Sequence, residues 1–100
     1  MPDAVLVAPD PDGETTVGRT TDNDLVFVHP LVSRRHARLN TSPEVCQVVD
    51  LNSTHGTMVN RLRIEPQRAV DLQPGDVIEI GAFRMVYEQI ALVSPVFAPE

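Results

Sequence analysis

The sequence predicts an all-β fold, a sandwich or barrel built from many short strands. Three observations carry that prediction. Nine prolines and five glycines are scattered through 100 residues, and they leave no ten-residue stretch with a helical apolar stripe. Between these breakers lie short β-rich runs, some with apolar and polar side chains in alternation. Turn pairs such as Asp12-Gly13, Ser42-Pro43 and Pro74-Gly75 separate the runs.

The elements follow in order. Residues 4–8 form an apolar run ended by Pro9, and the Asp12-Gly13 turn leads into a strand over 15–18. A third run, 25–28, stops before Pro30. Ala37 and Leu39 alternate with His36, Arg38 and Asn40, as a strand with one buried face requires. Residues 45–51 follow the Ser42-Pro43 turn, and 57–59 follow Gly56. Residues 69–72 run into the turn at Pro74-Gly75, after which 77–80 pairs with 83–90 across Gly81. In that last strand Phe83, Met85 and Tyr87 point one way, with Arg84 and Glu88 the other. The segment 93–100, with Pro95 and Pro99, reads as a tail or the start of a linker. The domain is therefore expected over 1–92, as a monomeric unit of a larger protein.

Composition excludes several classes of function. Hydrophobic residues at 42% and charged residues at 22% fit a globular domain. A chain of this length can bury roughly 60–70% of its unfolded surface, so it needs no metal or disulfide staple. The longest apolar run is five residues, too short for a membrane span. No basic-then-apolar leader opens the sequence, and a lone cysteine, Cys46, makes no internal disulfide. A reducing, cytoplasmic setting is expected. In its apolar strand, Cys46 reads as an inert core residue.

The net charge is -6, and every basic residue except the histidines is arginine. Residues 1–18 carry -4, residues 19–70 carry +2 and the last thirty carry -4. A basic middle in an acidic chain does not suit a nucleic-acid binder. Arginine does suit bidentate pairing with carboxylate or phosphate. Three loops hold most of the polar residues that a sandwich does not need: 18–24, 32–37 and 50–60. They offer guanidinium groups for charge, with hydroxyls and backbone N–H groups for direction, an inventory suited to a tetrahedral dianion.

Within these loops the sequence resembles a known family. Gly18-Arg19, the Ser33-Arg34-Arg35-His36 run, Ser53-Thr54-His55-Gly56-Thr57 with Val59-Asn60, and Leu72-Gln73-Pro74-Gly75-Asp76 with Ile80-Gly81 are similar to the motifs of the forkhead-associated (FHA) domain. They stand in that family's order and spacing, and the resemblance covers residues 4–90. It implies a β-sandwich of about eleven strands, of the SMAD/FHA type, whose loops at one end bind phosphothreonine peptides. It implies no catalysis and no cofactor. The implied partner is a phosphothreonine-containing protein, a substrate of a Ser/Thr kinase.

The resemblance also implies roles. Arg19 matches the arginine that contacts phosphate, and Ser33 the serine whose hydroxyl bonds it. Arg34 occupies the next position, where a second basic contact is common. Thr54 matches the loop residue that bonds phosphate beside the phosphothreonine methyl. His55 stands where many members bond the peptide backbone through asparagine. Asn60 is grouped with these binding positions and also matches the bracing residues, which include Gly18, His36 and Gly56. Arg61 departs from the pattern, since a glycine commonly follows that asparagine, and a connection wider than two residues is expected there. Leu31 stands where some members read an acidic peptide residue with arginine, at the third position after the phosphothreonine. With Gly81-Ala82-Phe83 nearby and Phe83 turned inward, an aliphatic residue is expected to beat aspartate there, unless Arg34 or Arg63 swings over.

Other readings were open on the same residues. Arg19 and Arg34 could form surface ion pairs with Asp22, Asp24 or Asp50. Ser33 could cap a turn, and His36 suits a hydrogen-bonded core position. Ser33, His36 and Asp50 could be drawn as the triad of a small hydrolase, although no strained elbow or oxyanion hole accompanies them. His29, His36 and His55 lack zinc-ligand spacing. An FHA-fold domain that binds a protein partner through a side face, without phosphate, is the main alternative function.

Overall fold

The computed structural model describes residues 5–7, 13–42 and 44–87. The domain limit at 92 and the tail at 93–100 lie outside the described residues. Ten strands follow one another, with no helix among the described residues: β1 (Val5–Val7), β2 (Gly13–Gly18), β3 (Leu25–Val26), β4 (Ala37–Thr41), β5 (Cys46–Asp50), β6 (Thr57–Val59), β7 (Leu62–Arg63), β8 (Val70–Leu72), β9 (Val77–Ile80) and β10 (Phe83–Tyr87). They form two five-stranded sheets, ordered β1-β10-β9-β6-β7 and β3-β2-β4-β5-β8. The sandwich is thus observed, with ten described strands.

Alternation decides which side chains meet between the sheets. Ala37 and Leu39 of β4 are buried while Arg38 and Asn40 are not, and Ile78 and Ile80 of β9 behave likewise. These residues join Val17, Cys46, Val48, Leu72, Met85 and Tyr87 in one core drawn from both sheets. Leu39, Ile78, Ile80 and Met85 are among the largest side chains wholly removed from water. Each such burial contributes about 1.5–3 kcal/mol. Cys46 belongs to this core, and burial pushes its thiol pKa up, which leaves it unreactive.

Two elements differ from the sequence expectation for identifiable reasons. The run 25–28 stays on the ladder only through Val26, because the next residue, Phe27, turns inward and stacks on Phe83 with ring centroids 4.4 Å apart. The two-residue strand β7 is too short to carry a period and escaped detection.

The wider connection expected at Arg61 is not found. Val59 pairs with Leu62, so Asn60 and Arg61 alone make the turn, with φ of 51° and 72°. A tight primed hairpin turn requires φ > 0 at both central residues. Asn60 is fastened by its side chain: Nδ2 donates to Asp76 at 3.0 Å and Oδ1 accepts from the Val77 N–H at 2.9 Å. This anchorage to the 73–76 turn forces Arg61 into a conformation that glycine adopts without penalty.

Candidate functional site

Register brings the loops together. Val17 on β2 pairs with Ala37 on β4, which pairs with Asp50 on β5. The β2–β3, β3–β4 and β5–β6 loops therefore leave the same end of one sheet side by side. Between them lies an open cleft of about 860 Å³. Arg19, Ser33, Arg34, Thr54 and His55, all expected from sequence, line it.

The first two loops are fastened through Gly18. A Cβ on this residue would lie 2.1 Å from the Arg34 carbonyl oxygen, so the close approach admits only glycine. The Arg19 N–H donates to the Ser33 carbonyl at 3.0 Å, and the Asn23 amide bridges the Thr20 and Arg34 carbonyls at 2.9 and 2.8 Å. The Arg19 side chain is oriented by a 2.8 Å bond from Nη1 to the Val32 carbonyl.

His36 ties the second loop to the third. It is fully buried. Its Nδ1 accepts the Ser33 N–H at 3.0 Å, so Nε2 carries the proton and donates to the Gly56 carbonyl at 2.8 Å. Burial holds its pKa below the usual 6.5, despite the opposing bond to Gly56 and the charge of Asp50. Gly56 has φ of 88°, and a Cβ there would come within 2.5 Å of the Arg63 guanidinium.

Asp50 is the anchor of the third loop. Its buried carboxylate accepts the Ser53 hydroxyl and the Thr57 hydroxyl, each at 2.6 Å, and the Ser53 N–H at 3.0 Å. Ser53 Oγ in turn accepts the Gly56 N–H at 2.9 Å. Such satisfaction is what makes a buried carboxylate tolerable. The path returns to the cleft where Thr54 N–H donates to Ser33 Oγ at 3.0 Å. The Ser33 hydroxyl proton is left to donate to a ligand.

The electrostatics favour an anion. Among the described residues, neither Arg19 nor Arg34 has a carboxylate within 4.0 Å. Asp24 is occupied with Thr16, and Asp50 with Ser53 and Thr57. The surface ion pairs that sequence allowed for these two arginines are therefore not formed.

Asn60 does not line the cleft. Both its side-chain polar atoms are engaged at the 73–76 turn and the start of β9, as its bracing role implies. The hydrolase triad is not assembled either, because His36 meets the Ser33 backbone rather than its hydroxyl and Asp50 holds Ser53 and Thr57. Sequence reasoning missed Thr20, Asp22, Arg35 and Asn52, which also line the cleft. Arg35 sits in the basic run already singled out, but no pattern separates it from a solvated arginine.

A second pocket of about 330 Å³ adjoins the first across His55. Leu31, Met58, Arg63, Glu79 and Gly81 line it. Gly81, with φ of 58°, lies against Val32 and Leu31 so closely that a Cβ would be 3.0 Å from Val32 Cγ2. Phe83 points inward onto Phe27, as expected.

The profile of the FHA domain matches residues 15–81. The oxoglutarate dehydrogenase inhibitor of Corynebacterium glutamicum is 44% identical over 73 residues, covering 73% of this chain and 49% of that protein. The chain thus spans about half the length of this curated relative. A solved structure from an analysis of phosphothreonine-dependent FHA domain interactions superposes with a TM-score of 0.65 at 35% identity, covering 71% of each chain. EmbR of Mycobacterium tuberculosis, solved with a low-affinity phosphopeptide, superposes with a TM-score of 0.64 at 38% identity, covering 68% of this chain and 17% of that one. With a profile match that takes in all three converging loops, the chain belongs to the FHA domain family.

Proposed function

We propose that this chain is a phosphothreonine-dependent protein–protein interaction module, an adaptor for signalling. The observation that carries the reading is the cleft itself, where two guanidinium groups without carboxylate partners among the described residues converge with an orientable hydroxyl. A phosphothreonine brings nearly two negative charges and three acceptor oxygens. Arg19 and Arg34 supply charge, Ser33 donates its hydroxyl proton, Thr54 shelters the threonine methyl, and His55 bonds the peptide backbone. Each charge-assisted hydrogen bond contributes about 1.5–3 kcal/mol, so few are needed for micromolar affinity near -8 kcal/mol.

The second pocket receives a side chain further along the peptide, and Leu31 and Met58 make it favour aliphatic surface. The partner is a protein phosphorylated by a Ser/Thr kinase, met in the cytoplasm, and the domain over 1–92 serves as one unit of a larger protein. Among the described residues no helix is long and apolar enough to cross a membrane. The FHA neighbours solved with phosphopeptide or analysed for phosphothreonine dependence support the same ligand class. Titration with phosphorylated and unphosphorylated forms of one threonine peptide tests the reading: binding confined to the phosphorylated form supports it.

A further inference from the structure

Asp22 is out of place in an anion cleft. Its carboxylate lines the same cavity as Arg19, Arg34 and Arg35. It is also held there. The Thr20 hydroxyl donates to Oδ1, and Arg35 Nη2 donates to Oδ2 at 2.9 Å. Thr20 follows Arg19 directly and Arg35 follows Arg34, so this carboxylate is tied to the binding loops rather than to a distant surface. Among the described residues, Asp22 is the only hydrogen-bond partner of the Arg35 side chain.

Two consequences follow from charge and geometry. An anion entering the cleft meets a like charge well inside one screening length, about 10 Å at 0.1 M salt. The cleft's third guanidinium is also already occupied by a stand-in for the ligand's oxygen atoms. We propose that Asp22 is an affinity-setting residue acting as a built-in competitor: it sequesters Arg35 while the cleft is empty, so that a ligand must displace it to engage the third guanidinium. A dianionic phosphothreonine draws Arg35 across; a singly charged glutamate or aspartate in its place does not. The inference builds on the phosphopeptide reading and adds the residue that sets how much of the cleft's positive charge a ligand finds free.

The experiment is calorimetric titration of the 100-residue chain with three versions of one peptide, carrying phosphothreonine, glutamate or threonine at the same position. The proteins are wild type, Asp22→Asn, Arg35→Ala and the double variant, with Asp22→Ala as a second carboxylate-free form and a thermal melt confirming that each is folded. The expected result is phosphopeptide binding at least threefold tighter in Asp22→Asn. That gain should fall by half or more when Arg35 is alanine, because a released Arg35 produces part of it. Glutamate-peptide binding should strengthen in Asp22→Asn by a smaller factor than phosphopeptide binding, because a single charge is repelled less by Asp22 and gains less from a freed Arg35; a larger factor for glutamate overturns the inference. Unchanged or weaker phosphopeptide binding in both folded Asp22 variants overturns the inference, as does an equal gain with and without Arg35. If wild type binds the phosphothreonine and threonine peptides equally, the underlying phosphopeptide reading fails first and takes this inference with it.

Discussion

The backbone N–H of Ser33 ends on the buried Nδ1 of His36, 3.0 Å away. The serine that lines the cleft is thus held by an imidazole that must stay neutral. Protonation would put a hydrogen on Nδ1 facing the Ser33 N–H and break the bond that holds Ser33, while Nε2 would still donate to Gly56. Because the folded state lowers the His36 pKa, the unfolded chain takes up a proton first as pH falls. The stability contribution is fully present above about 6.5 and is lost progressively below it, down to the folded pKa. Urea denaturation of the peptide-free domain from pH 8 to pH 5 should show stability falling below 6.5. A flat profile across that range would contradict the assignment of His36.

Arg19→Ala and Ser33→Ala should each weaken phosphopeptide binding at least tenfold, about 1.4 kcal/mol. Both side chains point into the cleft from loops fastened mainly by other groups, so thermal melts should remain cooperative. Calorimetric titration gives the affinities, and wild-type values in both variants would refute the assignment.

Phosphothreonine should bind several-fold more tightly than phosphoserine in otherwise identical peptides. The additional methyl group, sheltered beside Thr54, contributes roughly 0.8 kcal/mol when buried. Equal dissociation constants by fluorescence polarisation would count against the sheltered position.

At the third residue after the phosphothreonine, leucine or isoleucine should beat aspartate. Leu31 and Met58 offer apolar surface in the second pocket, where burial is worth about 25 cal/mol per Å². Arg63 lines it too, but its guanidinium packs over Gly56. Competition between two peptides differing only at that residue decides: tighter binding of aspartate would mean that Arg63 leaves Gly56 to meet it.

Arg61→Gly should stabilise the fold. Arg61 is exposed and sits at φ of 72°, where a side chain costs about 1–2 kcal/mol relative to the right-handed region. Glycine removes that strain and returns part of it as unfolded-chain entropy, leaving a gain of roughly 0.5–1 kcal/mol. Chemical denaturation measures it, and peptide affinity should not change, since the turn lies away from the cleft lining.

Much of this molecule could be read from the chain because each strand states its buried face. Ala37 and Leu39, or Ile78 and Ile80, declare it by period alone. Where one tertiary contact outweighs the local pattern, the reading failed: Phe27 leaves the ladder to stack on Phe83, and Asn60, pinned by Asp76 and Val77, drives Arg61 into a tight turn. The site divides in the same way. Arg19, Ser33, Arg34, Thr54 and His55 were legible as motif positions, and the register of β2, β4 and β5 brings their loops together. Asp22 and Arg35 were not, because their meaning lies in a 2.9 Å contact between loops that no spacing encodes. Asp50, a charged residue inside a strand, signals burial only once its three donors are seen.

The central claim is that the cleft recognises phosphate on threonine, and the most direct test is a calorimetric titration with one threonine peptide in two forms. The phosphorylated form should bind with micromolar affinity, and the unphosphorylated form should produce no measurable heat at the same concentrations. Equal binding of both forms, or of neither across a phosphothreonine peptide library, would contradict the account.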